Sequence, residues 1–142
     1  MGQKIVFVDT SAWYALQIVD DSNHEMAKGI LENLLPSCDN FLTSNHVVGE
    51  TYTLLRTSKW FKEAKLFLDI LRQSPRIIEY FASQEIHRQA MKILYQYKEL
   101  AFSFVDAISF SIMKKEGIKE AFAFDKHFAI AGFLRVGIDI PI

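Results

Sequence analysis

Two short apolar runs that each end on an aspartate constrain this chain more than any other feature: Ile5-Val6-Phe7-Val8 before Asp9, and Ala121-Phe122-Ala123-Phe124 before Asp125. An unbroken apolar run of this length suits a strand buried on both faces of a parallel sheet. Parallel strands need crossover connections, and the segments between the two runs have helical apolar spacing. Thr10 and Ser11 can cap a first helix through Trp13, Tyr14 and Leu16. Residues 24–35 follow with Met26, Ala27, Ile30, Leu31, Leu34 and Leu35 on one stripe, and Pro36 stops them. Residues 41–43 read as a second strand. Ser44 or Asn45 can cap a helix over 46–57, which forms a hairpin with one over 60–71. Pro75 precedes a third strand, 76–81. Ser83 can cap a helix over 84–97, Ser103 caps one over 104–116, and Gly117 closes it. Residues 121–124 and 133–136 are further strands around a short helical turn. This alternation predicts an α/β fold with right-handed crossovers, a parallel sheet and helices on both of its faces. With no repeat, low-complexity tract or linker, residues 1–142 read as a single domain.

Composition narrows the setting. The chain has 142 residues, half of them hydrophobic, which is enough for one core and excludes disorder. The lone cysteine, Cys38, cannot form an internal disulfide, which fits a reducing cytoplasm. Lys4 is followed at once by the short run ending in Asp9, unlike a secretory leader. The stretch 100–113 carries Asp106 in its middle and is too short to cross a bilayer. A soluble cytoplasmic protein is expected. The net charge of -1 argues against a protein that coats nucleic acid, but not against an enzyme meeting it at one patch.

Among 17 acidic residues, four occupy special positions. Ligands of open parallel sheets bind beyond the carboxyl ends of the strands. Asp9 and Asp125 end strands there, Glu50 lies one turn into the helix after the second strand, and Asp106 lies in the first turn of the helix leading to the fourth. All four can meet at one edge. Asp9 or Asp125 could instead cap a helix, and Asp106 stands three residues after Ser103 as in a capping box. Yet the helix that Asp106 opens is apolar nearly all round, and a buried carboxylate is costly unless paired or bound to a cation. Glu50, spaced helically from Val47 and Leu54, falls at the edge of an apolar stripe. Such a cluster repels itself and raises pKa values unless a cation sits within it. Asp106→Asn is then expected to relieve strain in metal-free protein, whereas a pure capping role predicts a small loss of stability. Oxygen donors with room for water suit Mg²⁺ or Mn²⁺ rather than zinc, and phosphodiester hydrolysis is the natural chemistry.

VDTSAW at Val8 to Trp13, VVGETYTLL at Val47 to Leu55, SFVDAISFSIMKKEG at Ser103 to Gly117 and AFAFDKHF at Ala121 to Phe128 resemble, in order, the motifs of PIN-domain proteins. In particular they resemble those of the VapC-like toxins of toxin–antitoxin pairs. The resemblance implies a three-layer α/β/α sandwich around a parallel sheet, and a Mg²⁺- or Mn²⁺-dependent endoribonuclease. Its acidic quartet would be Asp9, Glu50, Asp106 and Asp125, with Asp9, Asp106 and Asp125 on the metal. Thr10 and Ser103 match hydroxyl positions that accompany the first and third acids. It further implies an RNA substrate, a homodimer formed partly through the helical hairpin, and a small antitoxin partner. A PIN-fold RNA-processing nuclease without an antitoxin, or a non-catalytic binding module, would share these motifs.

The remaining polar residues weigh less. No two of His24, His46, His87 and His127 have the i, i+4 spacing of a helical zinc pair, so none is read as a ligand; His127, beside Asp125 and Lys126, lies near the proposed edge and could touch a phosphate, with a surface role preferred. Lys114, Lys115 and Lys119 can contact an RNA backbone or simply complement a helix dipole. Trp13 is read as core, and Tyr14 is left open between core and base stacking. A haloacid-dehalogenase-type phosphatase needs an acid two residues after Asp9, where Ser11 stands. A receiver domain needs its aspartate on the third strand, which reads RIIEYF here.

Overall fold

The computed structural model describes residues 3–142. Its elements in chain order are β1 (Ile5–Val8), α1 (Thr10–Gln17), α2 (His24–Leu34), β2 (Asn40–Ser44), α3 (Asn45–Thr57) and α4 (Phe61–Gln73). There follow β3 (Ile77–Tyr80), α5 (Gln84–Gln96), α6 (Phe104–Glu116), β4 (Glu120–Phe122), α7 (His127–Ile130) and β5 (Leu134–Arg135). All strand pairs are parallel, and the sheet order is β3-β2-β1-β4-β5.

Side chains alternate along each strand, so the register decides which residues share a face. Val6 pairs with Phe41 and Val8 with Phe122, while Phe7 pairs with Leu42 and Ala121. Val8, Phe41 and Phe122 line one cavity with Trp13, His24 and Ile70 of α1, α2 and α4. On the other face, Phe7 meets Phe128 of α7, which meets Phe110 of α6 edge-on at 5.0 Å between centroids. Both faces are dry, with Val6 and Phe7 fully buried. That is why the run reads as continuously apolar instead of alternating. The result is the three-layer α/β/α sandwich.

The sheet order also places the functional edge. From β1 the chain steps outward to β2 and β3, then returns to lay β4 on the other side of β1. The point where the direction reverses, between β1 and β4, opens a crevice beyond their carboxyl ends. Asp9 and Asp125 follow those two strands.

The differences from expectation have local causes. The first helix is capped by Asp9, whose carboxylate accepts the Ser11 N–H, and Thr10 is already helical. β4 ends at Phe122 because the Phe124 N–H leaves the ladder and donates to Ser11 Oγ at 2.9 Å. α4 runs on to Gln73, with only Ser74 before Pro75. Ser44, Ser83 and Ser103 cap α3, α5 and α6, and Gly117 ends α6 in the left-handed region at φ 69°. No helix among the described residues is long and apolar enough to cross a membrane.

Candidate metal centre

Asp9 is buried, 4 % exposed, at the carboxyl end of β1. One of its oxygens accepts both the Ser11 backbone N–H at 3.2 Å and the Ser11 hydroxyl at 2.7 Å. The same hydroxyl accepts the Phe124 N–H, so Ser11 ties the end of β1 to the segment after β4. Burial pushes the Asp9 carboxyl up from 3.8 to about 7. The Ser11 bonds pull it down by less than burial raises it, and the charges of Asp106 and Asp125 add to the rise.

Asp106 is also buried, in the first turn of α6. The capping box is real: Ser103 Oγ accepts the Asp106 N–H, and Asp106 Oδ2 accepts the Ser103 N–H, both at 3.0 Å. The same Oδ2 accepts the Nδ1–H of His127 at 3.0 Å. Capping and site membership, opposed in the sequence, are therefore carried by one side chain. Asp125 Oδ1 accepts the His127 backbone N–H at 2.8 Å and lies 3.4 Å from His127 Nδ1. Asp106, Asp125 and His127 each offer a donor atom within 4.8 Å of the others.

His127 is thus no surface residue. Its ring packs edge-on against Phe102 at 5.2 Å and bonds a buried acid. The spacing test for zinc pairs passed over it, while its place beside Asp125 did put it near the edge; what sequence did not show is its bond to Asp106. Ser11 was missed as well. The hydroxyl serving Asp9 is that of Ser11, while Thr10 Oγ1 faces the core, accepting from Thr51 Oγ1 at 3.1 Å and donating to the Val47 carbonyl at 3.5 Å.

Glu50 stands apart from the acidic core. It is exposed, on a groove lined by Asn45, His46, Gly49, Thr53 and Val105, the residue before Asp106. The expectation of an acid intruding on an apolar stripe took Leu54 as core. Leu54 is 41 % exposed, and the buried stripe of α3 is Val47, Thr51 and Leu55. Glu50 is therefore a rim residue. The basic run lies at the far end. Lys114 and Lys115 occupy the last turn of α6, about 12–14 Å along the helix axis from Asp106 at 1.5 Å per residue. Lys119 precedes β4. The lysine at the acidic edge is Lys126, exposed beside Asp125.

The donor set fits a hard divalent cation. Three carboxylates converge on a partly dry crevice, and among the described residues no Lys or Arg pairs with any of them. Such an excess of negative charge is stable only if protons or a cation offset it.

Comparisons with known proteins agree with this geometry. Residues 6–134 match the model of the family described as PIN domain. The 23S rRNA-specific endonuclease VapC20 from two strains of Mycobacterium tuberculosis is 39 % identical over 132 residues, spanning 93 % of this chain and 98 % of the relative. The crystal structure of the Mycobacterium tuberculosis VapC20, described as a sarcin-ricin loop cleaving toxin, superposes with a TM-score of 0.84 at 36 % identity. That superposition covers 95 % of this chain and 98 % of the other. Matched along nearly its whole length, this chain belongs to the PIN-domain family.

Proposed function

We propose that residues 1–142 form a single metal-dependent endoribonuclease domain of the VapC toxin type, cutting large-subunit ribosomal RNA. The observation that carries this reading is the grouping of Asp106, Asp125 and His127 beside Asp9, which feels the charges of both acids, at the crevice between β1 and β4, with no Lys or Arg pairing with the three acids among the described residues. Mg²⁺ or Mn²⁺ held by these three acids supplies a Lewis acid for a phosphoryl oxygen and a more acidic attacking water. The protein's own groups set the stage. Ser11 and the α1 N-terminus fix Asp9, while Ser103 and His127 fix Asp106. Glu50, exposed on the rim, is free to orient a water and accept its proton. Lys126 contacts a flanking phosphate.

The test is incubation of the pure protein with intact ribosomes, naked ribosomal RNA and transfer RNA, with Mn²⁺ or with EDTA. The expected result is a discrete cut in the large ribosomal RNA with Mn²⁺ and none with EDTA. Cleavage that survives EDTA sinks the metal mechanism, and a cut confined to transfer RNA sinks the substrate assignment. Lys126→Ala should raise KM several-fold with little change in kcat. Lys119→Ala, at the opposite edge, should leave both unchanged.

The partners follow from the same reading. The chain works as a homodimer and is silenced by a small antitoxin laid across the acidic edge. The α3–α4 hairpin supports the dimer, since it exposes Leu54, Phe61 and Leu66 at 41 %, 55 % and 47 %. Scattered apolar residues are common, but these three share one helical pair. Light scattering should give a dimer, and Phe61→Asp with Leu66→Asp should give a monomer. A wild-type protein that stays monomeric at high concentration removes this assignment.

A further inference from the structure

Phe104 opens α6 two residues before Asp106, and it is 39 % exposed. A single exposed apolar residue means little by itself, so its setting decides. The helix does not need a phenyl ring there: Ser103 already caps it, and its buried residues run from Asp106 to Met113. Two imidazoles back the ring instead. His46 of α3 and His87 of α5 lie 6.1 and 5.3 Å from it between centroids, tilted by 42° and 60°. Their Nε2 atoms are 3.3 Å apart, where one ring donates a hydrogen to the other, so at least one of the two is neutral. Three helices thus hold one small aromatic cluster in place.

The cluster adjoins the acidic crevice. With Asn45, Gly49, Glu50, Thr53 and Val105, His46 lines a groove of about 460 Å³, and Val105 stands between Phe104 and Asp106. The lining selects the occupant. No Lys or Arg is part of it, and Glu50 adds a negative charge, so the groove does not suit a phosphate. Asn45, Thr53 and the imidazoles offer donors and acceptors beside an exposed ring. That combination matches an unstacked nucleobase, which has an apolar face and a polar edge. The apolar side chain of a protein partner would leave the polar groups without partners.

We propose that Phe104, braced by His46 and His87, is a stacking platform for one unpaired base of the RNA, flanking the nucleotide held at the acidic crevice. This rests on the nuclease reading above. Stacking tolerates any base, so the platform adds affinity and position and favours RNA whose bases are not already paired.

The experiment titrates the full chain with a short single-stranded RNA of mixed sequence, and with a ribose-phosphate chain of the same length that lacks bases. Ca²⁺ replaces Mn²⁺ to slow cleavage. Binding is read by anisotropy of the labelled RNA, and stacking by tryptophan quenching in Phe104→Trp against the wild-type baseline of Trp13 and Trp60. The RNA should quench Phe104→Trp beyond the wild-type level, and the chain without bases should not. Phe104→Leu keeps an apolar contact with the imidazoles but has no aromatic face. It should melt with wild type, bind the RNA at least about fivefold more weakly, and bind the chain without bases equally well. Phe104→Tyr should restore the affinity. Equal RNA affinity in wild type and Phe104→Leu, or no added quenching in Phe104→Trp while anisotropy shows RNA bound, overturns the platform and leaves the nuclease reading intact. Weakened binding in Phe104→Leu that neither aromatic variant restores also overturns it, in favour of a packing role. Added quenching with no Mn²⁺-dependent cut by the wild type keeps the platform as an RNA contact and removes the nuclease reading.

Discussion

Asp106→Asn, assayed on a structured RNA with Mn²⁺, should lose cleavage by on the order of a thousandfold, the scale on which a positioned charge stabilises a transition state. The substitution keeps the shape of the side chain. Its oxygen can still take the Ser103 N–H, so the α6 cap survives in weakened form. What disappears is the negative charge that would hold the cation and that strengthens the His127 bond to the same oxygen. The loss should fall on kcat and on kcat/KM equally, because the cation acts on charge that develops during reaction. Raising Mn²⁺ should recover part of it if the acid mainly binds metal. A variant that cuts within tenfold of wild type at ordinary Mn²⁺ would show that Asp106 is only a cap.

Asp9→Asn should have the opposite effect on the folded state: in EDTA at pH 8 it should melt higher than wild type. Asp9 is ionised in the unfolded chain above its ordinary 3.8, but in the folded protein it holds its proton up to about 7. An acid whose folded value is raised binds more protons folded than unfolded, so wild-type stability declines as pH rises from about 4 to about 7 and is level beyond. Asparagine has no charge to desolvate and is an equally good N-cap for α1. The shift sets a ceiling of about 4 kcal/mol at about 1.4 kcal/mol per unit. Water entering the crevice lowers the expected gain to about 1–2 kcal/mol, or roughly 3–6 °C for a chain of this size. The advantage should shrink at pH 5, and Mn²⁺ should stabilise wild type more than the variant. Asp106→Asn is the control. Its carboxylate already has the Ser103 and His127 donors, so a smaller gain is expected there than at Asp9. Coincident melting of wild type and Asp9→Asn from pH 5 to pH 8 would end this account.

How much was readable from sequence depended on whether the cause was local. Strands β1 and β4 announced themselves because burial on both faces requires uninterrupted apolar runs. Ser83, Ser103 and Gly117 marked helix ends because capping acts within a few residues. The order of Asp9, Asp106 and Asp125 on those elements was enough to put three acids at one sheet edge. Side-chain partnerships across elements were not legible. Nothing near His46 points to His87, and Leu54 looks like core until the α3–α4 packing shows it exposed. The early end of β4 was hidden for the same reason, since the group that takes the Phe124 N–H is a serine on α1. Lys114 and Lys119 looked useful for RNA only while the direction of α6 and β4 was left out of account.

The strut from Ser11 to Phe124 joins residues 113 positions apart in sequence. In chain order Asp9, Glu50 and Asp106 all precede the strand that flanks β1 on its second side. A nascent or truncated chain ending before β4 has no Asp125, no His127 and an open edge along β1, so it cannot assemble the crevice. Closure of the crevice thus comes late in chain order, and a fragment that stops short of β4 should fail to bind the cation.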